Sequence, residues 1–134
     1  MKEGADLTIG ALARAAKTKV VTVRYYEKIG LLPVPARTAG NYRLYGTEDL
    51  RRLRFIRRCR ELGFTIDQVR TFLNLSSEGE RDCNEVDRTV RTHLAAIEAK
   101  ICDLDRLADE LRRIGESCKG GRVADCRVIE ALSP

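Results

Sequence analysis

The sequence predicts a mainly α protein, with short helices in a winged helix-turn-helix arrangement followed by one long helix built to pair with another. Three observations carry this expectation. LTIGALARAAK and VVTVRYYEKIGLL are short amphipathic segments joined by the tight turn Lys17-Thr18-Lys19. NYRLY alternates in the manner of a strand and follows a turn signal. Asp82–Ser117 has no proline and no glycine before Gly115, and its apolar residues recur at alternating spacings of four and three.

The elements follow in order. Thr8 caps the first helix, from which Ile9, Leu12 and Ala13 face inward. The second helix ends near Gly30. Pro33 and Pro35 stop any helix, and Ala39-Gly40-Asn41 turns the chain between the two strands of a small wing. Thr47 caps the next helix, with Glu48 and Asp49 in its first turn. Leu50, Leu53, Ile56 and Cys59 share one face of it, and six arginines from Arg51 to Arg60 crowd the others. Thr65 and Gln68 make a capping box that opens a helix running to about Leu75. The long helix then carries Val90, Leu94, Ile97, Ile101, Leu104, Ala108 and Leu111 on one seam. A helix of roughly 35 residues spans about 50 Å and cannot fold its seam onto itself, so a second chain is expected. Val128, Ile129 and Leu132 predict a short amphipathic helix at the end. The domain organisation expected is a winged domain at 1–75, a linker at 76–81, a dimerisation helix at 82–117 and a cysteine-bearing loop and tail at 118–134.

Composition narrows the function. The 134 residues are 34% charged and 43% hydrophobic, a globular mix. Residues 1–72 hold fifteen Lys and Arg against seven Asp and Glu, whereas residues 73–134 hold ten against thirteen. The basic first half suits a polyanion. No run is apolar and long enough to span a membrane, and the N-terminus has no secretory h-region, so a cytoplasmic protein is expected. In that reducing compartment the five cysteines point to metal, redox chemistry or plain burial rather than to disulfides. A single histidine, no nucleophile–base pairing and no glycine-rich phosphate loop argue against an enzyme.

The segment LTIGALARAAKTKVVTVRYYEKIGLL, the stretch RTAGNYRLYGTEDLRRLRFIRRCRELGF and the cysteine-bearing tail together resemble the MerR family of bacterial transcription regulators. The resemblance covers nearly the whole chain and points to the metal-responsive branch. It implies a homodimer whose winged heads are joined by an antiparallel coiled coil. It also implies binding to promoter DNA alongside RNA polymerase, with activation by distortion of the DNA when an effector binds.

DNA binding needs cations at phosphates and a few side chains at base edges. Thr22, Arg24 and Tyr25 project from the second helix of the motif, Tyr42 and Arg43 lie on the wing, and Arg54, Arg57 and Arg58 add phosphate contacts. One tyrosine of each pair, 25/26 and 42/45, is expected in the core, because neighbouring positions face different ways.

Cys118 and Cys126 bracket a seven-residue loop with two glycines, and both thiolates could reach one ion. Two thiolates suit linear Cu(I), whereas divalent ions want three or four ligands. Cys83 opens the long helix, about 50 Å from Cys118 in the same chain. If two such helices pair antiparallel, Cys83 of one protomer meets Cys118 and Cys126 of its partner. Metal-responsive relatives build their site in this way. Sensors of divalent metals carry a cysteine matching Cys83, and copper(I), silver and gold sensors carry serine there, although the short loop resembles theirs. A third thiolate adds charge suited to a divalent ion, so Cd, Pb, Hg or Zn is the expected effector, with Cu(I) the alternative. A reversible Cys118–Cys126 disulfide, favoured by Lys119 and Arg122, is a further alternative, as is a coiled-coil adaptor with structural zinc. Cys59 and Cys102 read as small buried hydrophobes, and His93 as a surface residue.

Overall fold

The structure, a computed structural model, describes residues 6–117 and 120–133. Its helices are α1 (Ile9–Ala15), α2 (Val20–Lys28), α3 (Thr47–Glu61), α4 (Ile66–Ser76), α5 (Asn84–Glu116) and α6 (Arg127–Leu132), with a 3-10 turn at Val123–Asp125. The chain divides into two compact units, Met1–Asp82 and Cys83–Pro134. Among the described residues no helix is long and apolar enough to cross a membrane.

In the first unit α1 packs on α2, and α3 packs on α4. Leu12, Val23, Leu31, Leu32, Leu53, Ile56 and Val69 form a closed core. Phe64 meets Phe72 edge-on, with ring centroids 5.2 Å apart. The turn between α1 and α2 is tight because Lys17 adopts a left-handed backbone, φ 55, and the Thr18 N–H donates to the Ala13 carbonyl at 2.8 Å. A side chain in that conformation costs roughly 1 kcal/mol, which Gly30, φ 80, avoids at the end of α2.

Two helix starts follow the sequence signals. The Ala11 N–H donates to Thr8 Oγ1 at 3.2 Å. Thr65 and Gln68 make the reciprocal box: the Gln68 N–H donates to Thr65 Oγ1 at 3.1 Å, and the Thr65 N–H donates to Gln68 Oε1 at 2.9 Å. At α3 the expectation needs correcting. The cap is Gly46 rather than Thr47, because Asp49 reaches back to accept from the Gly46 N–H at 2.9 Å and draws Thr47 into the first turn.

The wing is also thinner than the pattern suggests. Instead of two strands, isolated antiparallel bridges join Arg37 to Arg43 and Leu7 to Tyr45. Thr38 donates to the Tyr42 carbonyl at 2.7 Å, so the hairpin closes within one rung. The arm before it begins in prolines, which lack an N–H, and the Pro35 carbonyl accepts instead from the Arg43 side chain at 3.0 Å. The second rung is supplied by Leu7, which exchanges both backbone bonds with Tyr45 at 2.8 and 2.7 Å.

The second unit is α5 with the terminal turn and α6, which packs against α5. No residue of α5 is buried. The seam residues Val90, Leu94, Ile97, Ile101, Leu104 and Leu111 stay between 38% and 64% exposed.

Replacing Thr65 by Ala removes one half of the α4 capping box. Urea unfolding followed by circular dichroism is expected to show a loss of about 1 kcal/mol; an unchanged midpoint would mean that α4 is held by packing alone.

Candidate functional site

The outward face of α2 and the wing gather most of the residues that the sequence marks for DNA. The tyrosine pairs split as expected. Tyr26 is 8% exposed and Tyr45 1%, whereas Tyr25 is 50% and Tyr42 53% exposed. The two exposed rings therefore remain available to a ligand, and the two buried ones hold the scaffold.

Tyr45 is the joint between wing and helix. Its hydroxyl donates to Glu27 Oε2 on α2 at 2.6 Å. Burial, and then the bond and charge of Glu27, push its phenol well above the ordinary value, while Arg43 and Arg24 pull weakly the other way. The phenol stays protonated and keeps the wing fixed on α2. A cleft beside this joint is lined by Arg24, Arg37, Tyr42 and Arg43, together with Glu27. Arg43 is half-buried and aimed by its bond to Pro35, and Arg24 is exposed. The cleft thus offers three guanidinium groups against one carboxylate, which Tyr45 already engages. That balance suits an anion such as a phosphodiester. Thr22 lies half-buried beside Arg24 on α2.

The arginines of α3, one class in the sequence, divide by what they touch. Arg52 donates to the Leu31 carbonyl at 2.6 Å, Arg57 to Lys17 at 3.1 Å and Arg60 to Phe64 at 2.6 Å. These side chains staple loop carbonyls. Arg54 also touches a carbonyl, that of Ala15 at 3.3 Å, while remaining exposed.

The cysteines divide as well. Cys59 is buried on α3, and desolvation pushes its thiol up, as a packing residue requires. Cys102 is exposed on α5 in the single chain, which corrects its expected burial: α5 buries none of its residues here. His93 is partly exposed. Cys83 is exposed at the N-cap position of α5, where its side chain makes no capping bond. Cys126 is half-buried and caps α6. Cys118 and Lys119 lie outside the described residues. Gly120 and Gly121, which follow them in the sequence, are both left-handed with φ 81 and 98. Arg122, which the redox alternative would aim at a thiol, pairs instead with Asp125 at 3.1 Å. Among the described residues, no three His, Cys, Asp or Glu side chains of one chain converge on a point that could hold a metal.

Comparison with known proteins bears on the family and the fold. Residues 7–76 match the family model described as MerR HTH family regulatory protein, and residues 50–114 match the one described as MerR, DNA binding. The HTH-type transcriptional regulator ZntR of Escherichia coli K12 is 37% identical over 127 residues, covering 92% of this chain and 90% of that protein. The crystal structure of the transcription regulator PbrR691 from Ralstonia metallidurans CH34 in complex with lead(II) superimposes with a TM-score of 0.82 at 42% identity, over 95% of this chain and 99% of that one. The transcriptional regulator MerR of Bacillus megaterium MB1 in complex with mercury(II) gives 0.71 at 31% identity, over 94% and 98%.

The Tyr45 phenol gives a direct readout of the joint. In an ultraviolet pH titration, one of the four tyrosines should ionise well above the ordinary value of about 10, and Tyr45→Phe should remove that late step. Because the folded-state value is raised, the stability from this phenol is complete below about pH 10 and is lost as pH rises toward the folded value. Tyrosines that all titrate together would contradict the buried bond.

Proposed function

The chain belongs to the MerR family of helix-turn-helix regulators, and from that premise we propose that it is a metal-responsive transcriptional regulator whose effector is a soft divalent ion. In this reading it binds promoter DNA as a homodimer through α2 and the wing. Thr22, Arg24 and Tyr25 meet the major groove, and Tyr42, Arg43 and Arg54 meet the backbone. Binding of the ion distorts the DNA and activates transcription by RNA polymerase on the same promoter.

The observation that carries the reading is a 33-residue helix with no buried side chain and cysteines at both ends. In the sequence, Cys83 immediately precedes the helix and Cys118 comes two residues after its last one. An antiparallel partner sets the start of one seam beside the end of the other. Cys83 then approaches Cys118 and Cys126 of the second copy, and a dimer carries two such sites. Burying the exposed part of each seam side chain contributes roughly 1 kcal/mol toward that pairing.

The donor set fits a soft ion. Three thiolates supply charge and softness for Cd, Pb or Hg; Zn would call for a fourth ligand, and Cu(I) for only two. The similarity to a regulator solved with lead(II) and to one solved with mercury(II) supports the divalent choice over copper(I). When bound, the ion supplies the attraction that holds three thiolates together. The chain's own part is to hold Cys83 at a helix start and to bend the loop at Gly120 and Gly121 so that Cys126 faces the same end of the helix pair.

Two measurements test this. Leu94→Asp should shift the protein from dimer to monomer in analytical ultracentrifugation, because the pairing would then bury an unpaired carboxylate in an apolar seam; a dimer of unchanged stability would remove the pairing on which the site depends. Titration of the reduced protein with Cd, Pb and Hg should give a thiolate-to-metal absorption band that saturates at about one ion per protomer. Cys83→Ser should lose that band. Retention of the band, with Cu(I) bound more tightly than the divalent ions, would establish the two-thiolate alternative instead.

A further inference from the structure

Val21 is 73% exposed, the highest value for a large apolar side chain among the described residues of the first unit. It is the second residue of α2 and begins the stripe Val21, Arg24, Tyr25 and Lys28, spaced by three, four and seven, all of them exposed. Val23, on the opposite side, is fully buried. The helix is therefore rotated with its polar stripe outward, and an aliphatic side chain stands at the N-terminal end of that stripe. Neither packing nor propensity accounts for valine there: the core does not use it, and a β-branched residue is a weaker helix former than the charged ones beside it.

The DNA-binding reading proposed above supplies a partner, and the present inference rests on it. In a helix-turn-helix, the first residues of the second helix meet base edges in the major groove. Among the groups that the four bases expose there, one is apolar, the 5-methyl of thymine. We infer that Val21 reads a thymine by contact with that methyl, while Arg24 and Tyr25 hold the neighbouring bases or phosphates. The contact specifies sequence without a hydrogen bond. It removes two apolar surfaces from water and penalises cytosine, whose amino group would lie unpaired against the valine.

The test uses the intact protein. Binding sites are selected from random duplexes at one fixed salt concentration, and each thymine of the winning site is replaced in turn by deoxyuridine, which removes the methyl alone. The wild type is expected to lose about three- to tenfold in affinity at one thymine of each half-site. Val21→Ser should bind the thymine duplex more weakly by a similar factor, should be indifferent to uracil at that position, and should match the wild type at every other. Its circular dichroism should be unchanged, since the side chain is mostly exposed. Wild-type affinity insensitive to every uracil would overturn the inference, as would a Val21→Ser protein that keeps the wild-type sensitivity. Failure to select any sequence would instead sink the DNA-binding reading itself.

Discussion

Helix α5 buries none of its own side chains within the chain, and that constraint governs the rest of the molecule. Solvent-exposed pairs such as Arg91 with Asp87 at 2.8 Å are screened by water and too weak to hold a helix of this length by themselves. In the proposed dimer its stability comes from a second seam. A straight helix also fixes the distance between its ends, so cysteines at its start and beyond its end cannot meet within one chain. In the proposed dimer the same stiffness brings them together across copies. Ion binding and chain association then become linked equilibria, since an ion held only by the paired state stabilises that state by mass action.

The first unit solves a different problem, which is to present a rigid cationic face from a small core. Its helices are short, and their ends leave carbonyls that need donors. Arginines of α3 supply them: Arg54 and Arg57 reach the Ala15 and Lys17 carbonyls at the end of α1, and Arg52 reaches Leu31 beyond α2. Tyr45 ties the wing to α2 through Glu27. Each bond fixes a loop or the wing against a neighbouring helix, and together they hold the frame that presents Arg24, Tyr25 and Tyr42. Preorganisation of this kind lowers the entropy lost on binding.

Much of this was legible in the sequence. The capping residues Thr8 and Thr65, the break at Gly30, the heptad seam and the split of each tyrosine pair followed from local rules with little freedom. The wing was over-read because alternation in NYRLY reports a strand-like path without reporting how many partners that path finds. The cap of α3 was misplaced by one residue because Asp49, three positions on, competes with Thr47 for the first turn. Cys102 was read as buried because cysteine usually is, but burial depends on what packs over a position, and among the described residues Cys102 stays exposed.

The sequence by itself determined the order of the helices, the face that each helix of the first unit turns inward and the apolar seam along α5. These depend on side chains a few positions apart, and the helical repeat fixes their relation. Only the tertiary structure decided which arginines of α3 bind the protein's own carbonyls, that Tyr45 reaches Glu27 across 18 positions, and that Val21 stands uncovered. Those outcomes depend on where distant backbone groups arrive in space. Arginines one turn apart carry identical local signals until the core places a carbonyl within reach of one and solvent beside the next.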